Sequence, residues 1–291
     1  MTMSNKTTHT LVDDIYSLVK TKRPEKGVDA EAEIENFGEA VKDLMRKEFT
    51  NRGNFDARKL RMSNIGRDDR YLWNHYNNVG PKEPMQPHNL VKFMYGHLIE
   101  EMLLLLVRLS GHTVSHEQAQ AEVEGIVGSM DCKIDGVLTD VKSTSSFGFK
   151  KFKDATLAFD DPFGYIDQIK GYAKSEGDTQ VGWLAMDKQN GHLAFLKYDL
   201  EDTQAPVYEV LKEDIVERIK HVKEVVQQPE PPEFCNDPVP DGKSGNMKLP
   251  IGCSYCHFKH ACYPNLRTFL YSTGPRFLTE VANEPKVQEI T

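Results

Sequence analysis

Residues 128–143, with the sequence GSMDCKIDGVLTDVKS, constrain the fold more than any other part of the chain. The segment is predicted to be a β-hairpin. Asp140 and Lys142 are two residues apart, and side chains at that spacing in a strand point to the same face. Asp131 lies at the start of the first strand. The hairpin is therefore expected to gather two carboxylates and one ammonium group.

These groups suit the hydrolysis of a phosphodiester with a divalent cation. Such a site needs a few hard oxygen ligands, a water molecule of lowered pKa and a positive charge that offsets the charge of the transition state. Asp131 and Asp140 suit the first two tasks, and Lys142 suits the third. Asp135 is the alternative to Asp131, although it precedes a glycine and is also explained by a turn. An isolated D-x-K tripeptide is common, so the hairpin alone supports no more than a hypothesis.

The order of the other elements predicts a mixed sheet flanked by helices, an α/β (α+β) fold. Hydrophobic periodicity and turn signals predict helices at residues 11–20, 30–48, 63–73, 88–109, 165–175 and 208–228, and strands at residues 112–116, 121–127, 132–141, 180–187 and 192–198. Residues 143–153 are predicted to be a polar, basic loop, and residues 265–271 a short helix.

A change of composition divides the chain. Residues 229–246 are rich in Pro and Gly and cannot continue a helix or a sheet. We therefore expect an N-terminal helical extension at residues 1–55, a core at residues 56–230, and a C-terminal segment with a cysteine cluster and a tail at residues 231–291.

Two further motifs accompany the hairpin. Glu100 lies in YGHLIEE on the preceding helix, and Gln168 and Tyr172 lie one helical turn apart in QIKGY. Together with the G-x-x-D of GSMD and the D-x-K, this order resembles the PD-(D/E)XK nuclease superfamily, specifically its RecB-like branch and the related phage exonucleases. The resemblance covers roughly residues 60–200.

The resemblance implies a restriction-endonuclease-like mixed central sheet and a site that binds Mg²⁺ or Mn²⁺. It implies that the metal ligands are Glu100, Asp131, Asp140 and the backbone carbonyl of Val141. Lys142 would be the catalytic lysine, while Gln168 and Tyr172 would position the metal site or the DNA strand. His97 is the alternative to Glu100, because some RecB-like members use a histidine from this helix.

By this resemblance, the expected activity is that of a metal-dependent DNA exonuclease in recombination, repair or phage DNA metabolism, with a recombination or replication protein as a possible partner. The alternatives are a structure-specific or site-specific endonuclease of the same fold, and a nuclease-derived DNA-binding protein without catalysis.

The cysteines predict a second metal site. Cys253, Cys256 and Cys262 form C-x₂-C-x₅-C, and Cys235 precedes them across the Pro-rich connector. In a reducing compartment such a cluster indicates a metal site more often than disulfides, and four thiolates suit a [4Fe–4S] cluster or Zn²⁺. His257 and His260 lie in the same segment, and cysteine with histidine is also a ligand set for Zn²⁺.

This segment also resembles the iron–sulfur staple of RecB-like nucleases, which favours the [4Fe–4S] cluster. In that family the fourth cysteine lies near the N-terminus, where this chain has Asp68 and Asp69 instead. Cys235 is therefore the expected fourth ligand.

The segment after Lys142 is expected to contact DNA. Hydroxyl and ammonium groups suit phosphate contacts, and the expected contacts are Ser143, Thr144, Ser145, Lys150, Lys151, Lys153 and Lys170. The net charge of −8 argues against a nonspecific nucleic-acid coat protein but not against a local basic path. We expect no membrane segment and, without an apolar signal-peptide core, a cytoplasmic location.

Overall fold

The computed structural model describes residues 6–50, 59–80 and 87–290 of the chain. The α-helices of these residues are α1 (Leu11–Thr21), α2 (Ala30–Thr50), α3 (Asp69–Tyr76), α4 (Pro87–Leu109), α5 (Ser146–Lys153), α6 (Tyr165–Glu176), α7 (Tyr208–Leu211), α8 (Ile215–Val225), α9 (Ile251–Ser254) and α10 (Lys259–Cys262). Single 3₁₀ turns lie at Met62–Asn64 and Leu157–Phe159. Within the described ranges, no helix has both the length and the apolar character needed to cross a membrane.

The strands of the described residues are β1 (Val114–Ser115), β2 (Gln120–Val123), β3 (Ile126–Ser129), β4 (Cys132–Ile134), β5 (Val137–Thr144), β6 (Gln180–Asp187), β7 (Leu193–Asp199), β8 (Val239–Pro240), β9 (Met247–Lys248), β10 (Arg267–Tyr271), β11 (Gly274–Glu280) and β12 (Glu289–Ile290). The central sheet has the order β1-β4-β5-β6-β7. Only the β5–β6 pair in it is parallel, with Asp140 beside Trp183 and Lys142 beside Ala185. The predicted mixed sheet is therefore confirmed.

The predicted hairpin is the β4–β5 pair, which turns at Asp135-Gly136. Both residues have positive φ, 49° and 82°. Two successive positive φ values are what a two-residue hairpin turn of type I′ requires, and an Asp-Gly pair adopts them readily.

Helices cover both faces of the central sheet. On one face, α1 and α4 bury Ile15 and Leu103 in a cluster that includes Val141 of β5. On the other face, α5, α6 and α8 pack in a larger cluster that includes Leu138. Because side chains alternate along a strand, Asp140 and Lys142 lie on the same face as Leu138, the face covered by α6.

Several predicted elements are wrong in detail. Residues 121–127 are not one strand, because the chain turns at Glu124-Gly125, where both φ values are positive, and pairs β2 with β3. Residues 208–228 are not one helix, because Asp214 caps a new helix, α8, by accepting a hydrogen bond from Val216 N–H. Ser63 does not begin a helix that continues to Trp73. It lies in a 3₁₀ turn, and α3 begins at Asp69.

The C-terminal segment contains a second sheet that the sequence interpretation missed. Its order is β12-β10-β11-β9-β8, with every pair antiparallel. The helix predicted at residues 265–271 is wrong, because Phe269 is buried there and β10 pairs along its length with β11. The predicted boundary at residue 55 lies outside the described residues. The division into three segments stays a prediction.

Candidate active site

Asp131, Asp140 and Lys142 lie together at the open end of the β4–β5 hairpin. The two strands pair only as far as Cys132 and Thr139. Beyond that pair, Asp131 Oδ2 accepts a hydrogen bond of 2.8 Å from Val141 N–H, the residue between Asp140 and Lys142. Lys142 Nζ lies 2.9 Å from Asp140 Oδ1 and 2.8 Å from Oδ2. The hairpin itself therefore sets the spacing of all three charged groups.

The surroundings of these groups disfavour negative charge. Burial, together with the charge of Asp140, raises the pKa of Asp131 to about 8. Burial also raises the pKa of Asp140, against the attraction of Lys142. For Lys142, burial opposes the ammonium form, but the charges of Asp140 and Asp131 outweigh it and raise the pKa. A cation bound between the two carboxylates would relieve the repulsion that raises their pKa values.

Asp140 offers both carboxylate oxygens at this point. Its Oδ2 atom is buried and makes no other polar contact than the ion pair of 2.8 Å with the Lys142 ammonium. Carboxylate oxygens are the donors that Mg²⁺ and Mn²⁺ prefer. In the described ranges no group of three or more His, Cys, Asp or Glu side chains is arranged to hold a metal ion. The carboxylates that the hairpin brings together here are a pair, Asp131 and Asp140, rather than a complete ligand set.

Helix α6 closes the site from the side of the sheet on which Asp140 lies. Gln168 Nε2 lies 3.4 Å from Asp140 Oδ1 and 3.4 Å from the Tyr172 hydroxyl, and both side chains are buried. Burial raises the pKa of Tyr172 to about 12, so this hydroxyl stays protonated. A Cβ atom on Gly128 would lie 2.8 Å from Tyr172 Cε1, which explains why a glycine starts the GSMD motif.

Glu100 belongs to helix α4, and its charge helps to raise the pKa values of Asp131 and Asp140. Its Oε1 atom accepts a hydrogen bond of 3.2 Å from Gln118 Nε2, and its Oε2 atom lies 3.9 Å from His97 Nδ1. The Glu100 side chain is 17% exposed and that of His97 is 57% exposed, so Glu100 is the more enclosed candidate. The bond to Glu100 raises the pKa of His97. A Cβ atom on Gly96 would meet Ser143 Oγ at an ordinary 3.5 Å, so α4 passes close to the end of β5 without requiring a glycine there.

Asp135 lies at the turn end of the hairpin, away from this group. Its Oδ2 atom is 2.7 Å from His112 Nδ1, and its Oδ1 atom accepts a hydrogen bond from Thr113 N–H. His112 is fully buried and its Nε2 atom lies 3.1 Å from Asp14 Oδ2 of α1. The contacts of Asp135 therefore explain it as a structural residue that helps to dock α1.

The basic segment predicted as a loop is largely helical. Ser145 caps α5 by accepting a hydrogen bond from Gly148 N–H, and Phe149 and Phe152 are buried on one face of the helix. The residues of this segment that are predicted to bind DNA differ in exposure. Lys150, Lys153 and Ser145 are exposed, whereas Ser143 and Thr144 are partly buried. Lys151 forms an ion pair with Asp160 at 2.8 Å.

Lys170 does not belong to a basic surface, which corrects the prediction. Its side chain is 6% exposed and lies 3.4 Å from Asp167 Oδ1. Lys170 follows Ile169 in the buried part of α6, so its ammonium is enclosed by the domain rather than presented to solvent.

Tyr165 belongs to the site and was missed by the sequence interpretation. The Lys142 ammonium lies 4.9 Å from the centre of its ring, and burial raises the pKa of its hydroxyl. A signal was available, because Tyr165 precedes Gln168 by three residues and Tyr172 by seven, which is the spacing of one helix face. Gln118 was also missed. It has a positive φ of 52° in a loop, and nothing in the sequence indicates its contact with Glu100.

The four C-terminal cysteines line one pocket. Its walls are Tyr71, Asn74, Phe234, Cys235, Asn236, Cys253, Cys256, Lys259, Cys262 and Tyr263. Burial raises the pKa of Cys235 to about 12 and that of Cys253 to about 11. Among the described residues that line the pocket, neither His257 nor His260 occurs.

Nitrogen donors point to three of the four sulfur atoms. Asn74 Nδ2 lies 3.9 Å from Cys262 Sγ, Asn236 Nδ2 lies 3.9 Å from Cys253 Sγ, and Phe258 N–H donates to Cys256 Sγ at 3.4 Å. Donors of this kind surround thiolates that bind metals and tune them. The donor set therefore fits a thiolate-bound metal, although the described thiols are not drawn together as a closed ligand set.

Comparison with known proteins gives only distant likenesses. No family model matches the sequence, and no curated protein does. An alkaline exonuclease (LHK-Exo) from Laribacter hongkongensis aligns with a TM-score of 0.39 and 11% identity over 59% of this chain and 91% of that chain, and its complex with dAMP aligns with the same values. The protein SSO0001 aligns with a TM-score of 0.38 and 14% identity over 77% of this chain and 95% of that chain. Similarity this distant carries no argument about the activity of this chain.

Proposed function

We propose that this protein is a metal-dependent deoxyribonuclease. The observation that carries the proposal is the hydrogen bond from Val141 N–H to Asp131, which holds one carboxylate beside the ion pair of Asp140 and Lys142. A buried carboxylate and a partly buried one, both with raised pKa values, lie beside a partly buried ammonium, and structural packing alone does not require such a group. The predicted PD-(D/E)XK resemblance supports the same reaction.

Each side chain would have a separate task. Asp131 and Asp140 would hold Mg²⁺ or Mn²⁺, which supplies a water molecule of lowered pKa and offsets charge on the phosphate. The carbonyl of Val141 and the carboxylate of Glu100 are proposed as further ligands, with Gln118 holding Oε1 of Glu100. The Lys142 ammonium would stabilise negative charge on the transition state or orient the attacking water.

Gln168 and Tyr172 would hold the site in shape. The amide of Gln168 contacts both Asp140 and the Tyr172 hydroxyl, so it fixes one face of the carboxylate that would bind the metal. Such support matters because small displacements of reacting groups have large effects on rate.

A nuclease assay with Mg²⁺ or Mn²⁺ and DNA tests the proposal. Lys142→Ala should abolish cleavage while the protein still folds and binds DNA. Lys133→Ala is the matched control, because Lys133 is also enclosed and ion-paired, with Asp178 at 2.8 Å and Glu176 at 3.2 Å. An unchanged cleavage rate in Lys142→Ala, or no cleavage by the wild-type protein with either metal, would refute the proposed reaction.

The form of the DNA substrate separates the two kinds of nuclease. An exonuclease should degrade linear DNA and leave a covalently closed circle intact, whereas an endonuclease should cut both. We propose exonuclease activity as the leading hypothesis and endonuclease activity as the alternative. Exposed Lys150 and Lys153 of α5 would guide the phosphates, and Phe147, which is 62% exposed, offers a ring on which a base can stack.

We further propose that the cysteine pocket holds a [4Fe–4S] cluster, with Zn²⁺ as the alternative. Its support is the set of four thiols around one pocket with nitrogen donors on three of them. Anaerobically purified protein should show a broad visible absorption band. A colourless protein that contains zinc would establish the alternative.

A further inference from the structure

A series of stacked side chains connects the cysteine pocket with Lys142. Tyr71 lines the pocket and packs edge-on against Phe258, with ring centres 5.5 Å apart. The Arg67 guanidinium lies 4.3 Å from the centre of the Tyr71 ring and 5.5 Å from that of Phe163. Arg67 thus lies between an aromatic wall of the pocket and a second aromatic ring outside it.

The series continues from Phe163 to the candidate active site. The rings of Phe163 and Tyr165 have their centres 5.7 Å apart, and the Lys142 ammonium lies 4.9 Å from the centre of the Tyr165 ring. The same ammonium contacts Asp140. Tyr165 is therefore a second contact of Lys142 beside its ion pair.

The backbone holds both ends of this series in place. Gly66 and Gly164 are so close that a Cβ atom on Gly66 would lie 2.6 Å from Gly164 Cα, and Arg67 and Tyr165 each directly follow one of them. Arg218 of α8 also donates hydrogen bonds to the carbonyls of Ile65 and Arg67. Since these contacts use main-chain atoms, the loop keeps its anchors when the Arg67 side chain is removed.

We propose that Arg67 is a positioning residue, which holds Phe163 and Tyr165 against the wall of the cysteine pocket and thereby fixes the Lys142 ammonium. Its guanidinium is attracted by the faces of both flanking rings. Its Nε atom is buried and makes no hydrogen bond, so stacking is the contact that the side chain uses there. The inference rests on the proposed function, because it gives Lys142 a catalytic role.

Steady-state kinetics separates a positioning role from a role in DNA binding. Arg67→Ala should lower kcat about tenfold, as expected for a small displacement of a reacting group, and leave KM for DNA unchanged. Arg67→Lys should recover part of the loss because it keeps the cation. Arg70→Ala is the matched control: Arg70 stacks at 4.3 Å on Phe234 of the same pocket but does not belong to the series.

A rise in KM at unchanged kcat would identify Arg67 as a DNA contact and overturn the proposal. Equal losses of kcat in the Arg67 and Arg70 variants would overturn it too, because both would then act through the pocket as a whole.

Chemical labelling of Lys142 tests the same inference without any cleavage. In the full chain, competitive acetylation measured by mass spectrometry gives the reactivity of Lys142 relative to Lys133, which is paired with Asp178 and lies outside the series. Arg67→Ala should raise this ratio roughly fivefold, as for the loss of the cation–π contact between Lys142 and Tyr165, and Arg70→Ala should not. An unchanged ratio refutes the positioning role. Wild-type protein that does not cleave DNA refutes the proposed function instead, and the labelling result still decides the role of Arg67.

Discussion

Replacing Gly128 by alanine tests how the G-x-x-D motif supports the candidate site. Gly128 lies in β3 with a negative φ, so a side chain there meets no backbone strain. The new Cβ atom would instead lie 2.6 Å from Met62 Cβ and 2.8 Å from Tyr172 Cε1, closer than real Cβ contacts. The Met62 contact is near the main chain, and the Tyr172 ring is enclosed, so neither neighbour can move freely.

Overpacking of this kind typically costs about 1–3 kcal/mol. We therefore expect Gly128→Ala to lower the free energy of unfolding by an amount in that range. Displacement of Tyr172 should also lower kcat, because its hydroxyl is within 3.4 Å of the Gln168 amide that contacts Asp140. Urea unfolding at neutral pH measures the first effect, and the nuclease assay measures the second.

Gly148→Ala is the matched control. Gly148 lies in α5, where a Cβ atom would have its nearest neighbour at an ordinary 3.5 Å, so alanine should add up to about 1 kcal/mol of helix stability. In a Tyr172→Ala background, Gly128→Ala should cost less than in the wild type, because the ring is gone. If Gly128→Ala is as stable as Gly148→Ala, the steric explanation of the motif is wrong.

Three further predictions concern other parts of the molecule. Burial opposes the charge of Asp135, but hydrogen bonds from His112 and Thr113 outweigh it and lower its pKa. The ionised carboxylate therefore stabilises the fold fully above the unfolded pKa of about 3.9, and this stabilisation is lost as pH falls through the folded pKa. Urea unfolding at a series of acid pH values should show that the free energy of unfolding falls less steeply in Asp135→Asn than in the wild type. Phe147→Ala should weaken binding of a single-stranded oligonucleotide by about 1–3 kcal/mol without changing stability, and equal binding in a titration would exclude stacking. Cys256→Ser should remove the visible band and lower the Tm, whereas an unchanged spectrum would contradict the proposed ligand set.

The acidic hairpin could be predicted because its information is local. Alternation along β5 fixes Asp140 and Lys142 to one face, and Asp135-Gly136 fixes the turn and with it the register of both strands. The choice between Asp131 and Asp135 required the structure. It depends on whether each carboxylate meets Val141 N–H or the buried His112, and those contacts arise only when the sheet and α1 have assembled.

Elements whose conformation depends on distant partners were mispredicted. The buried face of the Lys-rich α5 has only two phenylalanines, and its helix depends on them and on Ser145 as a cap. Residues 267–271, inside the predicted helix, form a strand because β11 offers a partner, and pairing of this kind overrides local propensity. Lys170 was expected to be exposed because it is charged. Nothing in the sequence indicates that it is buried in α6 beside Asp167.

The cysteine pocket joins parts of the chain that the ribosome synthesises at different times, so it can form only late in synthesis. Its walls join α3 to the last quarter of the chain, and Arg70 on that helix binds the carbonyl of Pro232, which is 162 residues away. At about 5–20 residues per second, a ribosome needs on the order of ten to thirty seconds to synthesise that interval. Every residue of the acidic site, from Glu100 to Tyr172, is made before the first of the pocket cysteines. A newly made chain therefore passes through a stage in which the acidic groups exist without the wall that supports them.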